Sequence, residues 1–287
     1  MQEVERAVER VIQSIHENYG EQITVDDMAR TAMYSKFHFT RIFQRVTGLT
    51  PGRFLSAVRL QKAKQLLTST SWKVTDISQI VGYTSVGTFS SRFASSVGLP
   101  PTAYRELGGY RPWTSVHDKA PAGERVDPER RSVIRGHISF RSAEPDNPIF
   151  VGLFPERIPR GQPVRCTVLS RPGPYVLEDV PAGSWYVMAC SPRPDRDAAA
   201  QAAGQAAGGH RRNGRGEGYA ALLDGCVQLS REQALWVGSN GPITIQPGMV
   251  RLADVRLRPM SPLDPPVVLA LPDMRPENLA ARADSAA

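Results

Sequence analysis

The segment Lys36-Phe-His-Phe-Thr-Arg-Ile-Phe-Gln-Arg-Val46 holds the side chains best suited to chemistry in this 287-residue chain. On a helical wheel Phe39, Ile42, Phe43 and Val46 share one face. The opposite face presents Lys36, Phe37, Thr40, Arg41 and Gln44. Arg41 can bond both acceptors of a guanine edge, Thr40 can donate or accept, and the Phe37 ring can press on a thymine methyl. Arg45 and His38 fall on the flank, where a phosphate is the natural partner. A merely solvated helix face would carry similar charges. Phe37 weighs against that reading, because a large ring gains nothing in water.

This unit occurs twice. Ser35-Lys-Phe-His-Phe-Thr-Arg-Ile-Phe43 aligns with Ser85-Val-Gly-Thr-Phe-Ser-Ser-Arg-Phe93, Gly48-Leu49 with Gly98-Leu99, and Pro51 with Pro101. Upstream, Val25, Asp27 and Tyr34 match Val74, Asp76 and Tyr83, with Thr84 inserted in the second copy. Two copies of one contact suit a periodic partner such as a DNA duplex, whose major groove returns every ~34 Å. The second contact face is blander: Val86, Gly87, Ser90 and Ser91, with Arg92 one position beyond the equivalent of Arg41. Small residues permit close approach but read few bases. Direct readout is therefore expected from the first copy, and phosphate contact and shape readout from the second.

These faces need helices to hold them. Val4, Val8, Val11, Ile12 and Ile15 predict a first helix ending near Asn18-Tyr19-Gly20. Thr24 is an expected N-cap, with Asp26 and Asp27 in the first turn favouring the helix dipole. Ser35 caps the next helix and Gly48 ends it. Pro51 opens a longer helix to about Thr68, a rod of roughly 27 Å. Helices over Val74–Val81, Ser85–Val97 and Thr102–Leu107 complete the set.

Charge follows the repeat. The first 112 residues hold 14 Lys and Arg against 9 Asp and Glu, and so carry five of the seven net positive charges. No apolar run approaches the ~20 residues of a membrane span. The polar, acidic start Met1-Gln-Glu-Val-Glu5 is not expected to act as a signal peptide, and three scattered cysteines lead to the expectation of reduced thiols in a cytosol.

Residues 111–132, rich in Gly, Pro and charge, read as a linker in which Trp113 packs on a neighbouring surface. Strand-like stretches follow at 133–140, 149–154, 164–169, 175–177, 184–190, 234–237, 243–245, 250–257 and 267–271, within a β-rich domain spanning 133–275. An Ala/Gly/Arg-rich insertion interrupts them at 192–218, and a disordered tail is expected over 276–287. The cluster Arg211, Arg212 and Arg215 suits either phosphate contact or a solvated loop. Trp185, Tyr186 and Trp236 suit either a pocket lining or core packing. Cys166 and Cys190 in apolar strands read as buried thiols, and His137 and His210 lack ligand-spaced neighbours. No nucleophile elbow, phosphate loop or dinucleotide fingerprint is present, so neither an enzyme nor a cofactor is expected.

The helical segment resembles the AraC/XylS family over about residues 4–107. The resemblance rests on Ser35 to Pro51, on Arg59-Leu60, Ala63 and Leu66-Leu67, on Val81-Gly-Tyr83 and Thr88-Phe-Ser-Ser-Arg-Phe93, and on Val97-Gly-Leu-Pro-Pro101 with Tyr104-Arg105. It implies an all-α tandem helix-turn-helix domain over 1–110, with two recognition helices entering successive major grooves. By position it implies base contacts from Phe37, Thr40 and Arg41, and from Gly87, Ser90 and Ser91. It further implies a cytoplasmic transcriptional regulator that binds double-stranded DNA and acts on RNA polymerase. Many members carry arginine where this chain has Ser91, and most place the sensing domain first, the reverse of this order. The run Gly173 to Ala189 is similar to a strand pair of transthyretin-like β-sandwiches, with Glu178 to Gly183 as its turn. The β-rich half is accordingly expected to be sandwich-like and to sense a small-molecule effector, form a homodimer or contact the transcription machinery. Two other classes stay open: an enzyme, such as a repair protein, fused to a DNA-binding domain, and a nonspecific architectural DNA binder.

Overall fold

A computed structural model describes residues 2–111, 131–141, 147–192 and 235–272. Seven helices fill the first part: α1 (Gln2–Asn18), α2 (Val25–Ala32), α3 (Lys36–Thr47), α4 (Pro51–Ser69), α5 (Val74–Ile80), α6 (Val86–Val97) and α7 (Pro101–Glu106). Their ends follow local chemistry. Thr24 and Asp27 form a reciprocal capping box at α2. Ser35 and Ser85 each accept the N–H three residues on. Gly48 and Gly98 end α3 and α6 at φ 80° and 89°, a backbone region open to glycine. Pro51 and Pro101 start the helices that follow.

The repeat is a repeat of packing. Phe39 and Phe43 stack at 5.4 Å between ring centroids, Phe89 and Phe93 at 5.6 Å. Each pair meets a third ring edge-on, Phe54 in the first unit and Tyr104 in the second. The α4 helix serves both cores. Phe54, Leu55 and Val58 enter the first; Leu60, Ala63, Leu66 and Leu67 enter the second.

Eight strands follow: β1 (Val133–Phe140), β2 (Ile149–Phe154), β3 (Arg165–Leu169), β4 (Gly173–Leu177), β5 (Gly183–Pro192), β6 (Leu235–Ile245), β7 (Val250–Leu252) and β8 (Val255–Pro259). They form one sheet in the order β3-β2-β5-β6-β8-β1-β4, with β7 beside β1. The sheet curls until its two ends approach, where Arg165 Nε donates to the Glu178 carbonyl. The result is mostly β and nearly barrel-like, which bears out the β-rich expectation and not the finer one of a sandwich. Ile134, Ile138, Val151, Leu153, Val187, Val255 and Leu257 fill its interior.

Several strand expectations are corrected. The β4 and β5 strands are not a hairpin: β4 pairs with β1, while β5 pairs with β2 and β6. Glu178 to Ala182 is a crossing connection. The stretches 234–237 and 243–245 are one strand, because the polar residues between them still pair with β5. The stretch 250–257 is two strands. At the break Asp254 Oδ1 takes the His137 N–H, and Gly136 lies so close to the Ala253 carbonyl that a Cβ would stand 2.3 Å from its oxygen. The stretch 267–271 joins no sheet. It is a strap along the helices, with Ala270 N–H on the Val97 carbonyl and Val268 and Ala270 in the second helical core. Trp236 and Trp185 belong to the β core, and Cys166 and Cys190 are buried. Most of the expected linker with Trp113, the basic insertion with His210, Arg211, Arg212 and Arg215, Cys226, and the expected tail lie outside the described residues.

Lys64 ties the strap down. It is buried in α4 and donates to the carbonyls of Val267 (3.3 Å) and Leu269 (3.1 Å). Burial lowers its ammonium from the ordinary 10.5 to about 8. Between those values the unfolded chain binds more protons than the folded one, so stability rises with pH. Burial pushes the neighbouring Cys190 thiol from 9.0 up to about 12, which acts in the opposite sense above pH 9. The clean window is pH 8 to 9. Urea unfolding should show Lys64 adding up to ~1 kcal/mol of stability across it. A Lys64→Met chain should lose that rise; an unchanged slope would contradict this account of Lys64.

Candidate nucleic-acid interface

Burial of one helix face exposes the other. On α3, Phe39 and Phe43 are fully buried and Ile42 nearly so. Lys36, Phe37, His38, Arg41, Gln44 and Arg45 are exposed, and Phe37 is 76% exposed. Val46, expected in the buried stripe, is half-buried. Thr47 is buried beside it, its hydroxyl donating within the helix to Phe43 (2.8 Å) and lying 3.1 Å from the Leu49 carbonyl.

The exposed side chains differ in readiness. Arg41 and Arg45 have no hydrogen-bond or ion-pair partner among the described residues. Both are free to meet a ligand without first breaking a contact. Lys36 Nζ lies 2.8 Å from Asp26 Oδ2 in an exposed ion pair, of a kind worth ~0–1 kcal/mol and readily exchanged for a phosphate. Thr40 is half-buried and its hydroxyl donates to the Lys36 carbonyl at 2.8 Å. Its proton is used inside the helix, which leaves its lone pairs and methyl for a partner. His38 packs edge-on against Tyr34 at 5.2 Å.

The α6 face is flatter. Val86, Gly87, Ser91 and Arg92 are exposed and Ser90 is half-buried. A Cβ at Gly87 would meet only Ser85 Oγ at 3.7 Å, so the gap there is open surface and not a packing requirement. Arg92 lies close enough to Arg59 to help lower that guanidinium, after the larger effect of burial. Arg59 itself donates to the carbonyls of Tyr19 (2.8 Å) and Glu21 (2.6 Å) and lies over the Tyr83 ring. It thereby fixes the turn before the first unit against the second.

Met33 escaped the reading of the sequence. It caps α2 at φ 61° and is 85% exposed, in the turn that delivers α3. A bulky residue with positive φ is uncommon, and its exposed thioether is a second large apolar side chain left in water near the start of α3. The available signal was an apolar residue one place beyond the periodic stripe Met28, Ala29, Ala32.

Among the described residues no cluster of three or more His, Cys, Asp or Glu could hold a metal ion, and no helix is long and apolar enough to cross a membrane.

A family of helix-turn-helix domains matches residues 28–107. The chain is 33% identical over 104 residues to the melibiose operon regulatory protein of Escherichia coli K12, covering 36% of this chain and 34% of that protein. It is 31% identical over 102 residues to the lactose operon transcription activator of Staphylococcus xylosus, covering 36% of this chain and 37% of that one. The chain thus spans about a third of the length of the curated relatives it matches. Among solved structures, the DNA-binding domain of AdpA in complex with a target DNA is 28% identical, covering 35% of this chain and 90% of that chain, with a TM-score of 0.34.

The contrast between the two faces of α3 can be measured. Phe37→Ala should leave stability within about 0.5 kcal/mol, since its ring is in water. Phe39→Ala should cost ~3–5 kcal/mol. Urea unfolding of both variants checks this; a large loss from Phe37→Ala would mean that the ring has a structural partner.

Proposed function

We propose that this chain uses its helical part, a helix-turn-helix domain of the AraC type, to bind specific sites on double-stranded DNA and regulate transcription initiation. The observation that carries the proposal is an exposed aromatic ring, Phe37, beside an uncommitted guanidinium, Arg41, on a helix whose other face is fully buried. A solvated surface has no use for that pair, whereas a base edge and a thymine methyl use both. The relatives are named as a transcription activator and an operon regulatory protein, and the helix-turn-helix family match falls on this part of the chain.

In this reading α3 and α6 enter two adjacent major grooves, with α4 as the spacer. Its 19 residues span roughly 28 Å, comparable with one turn of duplex. On α3, Arg41 and Phe37 read bases, Thr40 accepts a hydrogen bond, and Lys36 and Arg45 neutralise phosphates. On α6, Gly87, Ser90 and Ser91 let the helix sit close to the bases, and Arg92 takes a phosphate. Specificity is then concentrated in the first unit, and the second contributes affinity and shape discrimination. The β-rich part senses or assembles, and bound protein acts on RNA polymerase. The domains assigned to these roles are 1–110 and 133–275, joined by 111–132.

Binding measurements on a genomic target site and on scrambled DNA, across a salt series, test this. Arg41→Ala should weaken the specific site by ~1–3 kcal/mol and relax preference at one base pair. Arg45→Ala should weaken both DNAs alike and reduce the salt slope by about one. Equal, sequence-independent losses for the two variants would remove Arg41 from base reading. A chain that binds both DNAs equally at matched salt would instead be an architectural binder.

A further inference from the structure

A cavity of about 320 Å³ lies where the helical and β-rich parts meet. Small-molecule sites occupy roughly 300–1,000 Å³, so it can hold a compact organic ligand. Its floor is the outer face of β2, β5, β6 and β8, and strand register arranges the side chains in rows. Phe150 lies opposite Cys190, Cys190 opposite Val237, and Val237 opposite Arg258. In the next row Gly152 lies opposite Met188, and Met188 opposite Ser239. A Cβ on Gly152 would stand 2.8 Å from the rings of both Phe150 and Phe154. With hydrogen there, the two buried rings close over the backbone, and the half-buried Met188 and Val237 packed against them form an apolar shelf.

The rows run from rings at β2 to guanidiniums at β8. Three arginines, Arg157, Arg256 and Arg258, line the cavity with a single carboxylate, Asp264. Arg258 is committed to Asp264 by two hydrogen bonds of 2.6 and 2.7 Å. Arg256, two residues earlier on the same face of β8, has no hydrogen-bond or ion-pair partner among the described residues. The opposite wall is the end of α3, Val46 to Gly48, together with the strap at Val267 and Leu269. An apolar shelf beside an uncommitted guanidinium fits a molecule with an apolar body and one anionic group. A guanidinium can pair with a carboxylate in a two-pronged geometry.

We propose that this cavity binds a small carboxylic acid with an aromatic or branched aliphatic body, its body on Met188 and Val237 and its carboxylate on Arg256. Because α3 forms the opposite wall, occupation alters the affinity of α3 for its target. This second step rests on the DNA-binding reading; the binding step does not.

Calorimetric titration of the full chain without DNA tests the site, using benzoate, salicylate and 4-methylpentanoate, each beside its amide, and inorganic phosphate. At least one acid should saturate, with its amide about tenfold weaker, the scale of one charge-assisted hydrogen bond. Arg256→Gln should erase that preference. Ser239→Trp, a change at an exposed residue beside Met188, should fill the cavity and abolish binding while cooperative unfolding persists. The site is refuted if no acid saturates, if amides or phosphate bind as well as acids, or if Ser239→Trp leaves affinity intact. Repeating the DNA titration with the bound acid should shift DNA affinity by about fivefold or more, the low end of ordinary coupling. An acid that binds without any such shift overturns the coupling alone. Failure to bind DNA specifically, with or without acid, counts against the DNA-binding reading and leaves the calorimetric result standing.

Discussion

The arrangement of this molecule depends on α4 being buried from two sides. Its first turns complete the core under α3, and its later turns complete the core under α6. Each helical unit borrows a face of the same rod. Helices α3 and α6 therefore cannot drift independently, since rotating α4 to relieve one core would expose the other. Close packing of the ring stacks Phe39-Phe43-Phe54 and Phe89-Phe93-Tyr104 makes that exposure expensive. Arg59 adds a polar restraint between the units.

The β-rich part is joined to this frame rather than merely attached to it. Ile158 enters the first helical core, and Val268 and Ala270 enter the second. Gly161 N–H reaches the Ser96 carbonyl at 2.7 Å, and Lys64 grips the strap from below. Both helical units thus have a plug from the far half of the chain. A change at the seam has a physical route to either α3 or α6, through packed side chains with few alternative arrangements.

Local rules were legible in the sequence, and long-range pairing was not. Thr24, Ser35, Gly48 and Pro51 mark helix ends because caps are satisfied within a few residues. The Phe39/Phe43 and Phe89/Phe93 spacing reveals its own buried face. Strand partners are set elsewhere. Glu178 to Gly183 has the composition of a hairpin turn, yet β4 finds β1 and β5 finds β2 and β6. The Val267–Leu271 run has strand composition, but its partner is helical. Asp254 interrupts an alternating pattern with a side-chain hydrogen bond that no periodicity foretells. On the contact face, charge and exposure were readable, but the turning of the Thr40 proton into its own helix and the pairing of Lys36 with Asp26 were not. The cavity was invisible for a related reason: its rows cross four strands that are distant in sequence.

The grip of Lys64 on the strap spans 203 residues to one carbonyl and 205 to the other. Chains are made from the N-terminus, so the helical part leaves the ribosome well before either carbonyl exists. During that interval the Lys64 ammonium stays hydrated, and the gap later filled by Val268 and Ala270 is open to water. Translation thus delivers α3 and α6 early and the pieces that seal their cores last, and the nascent chain passes through a stage with its seam unsealed.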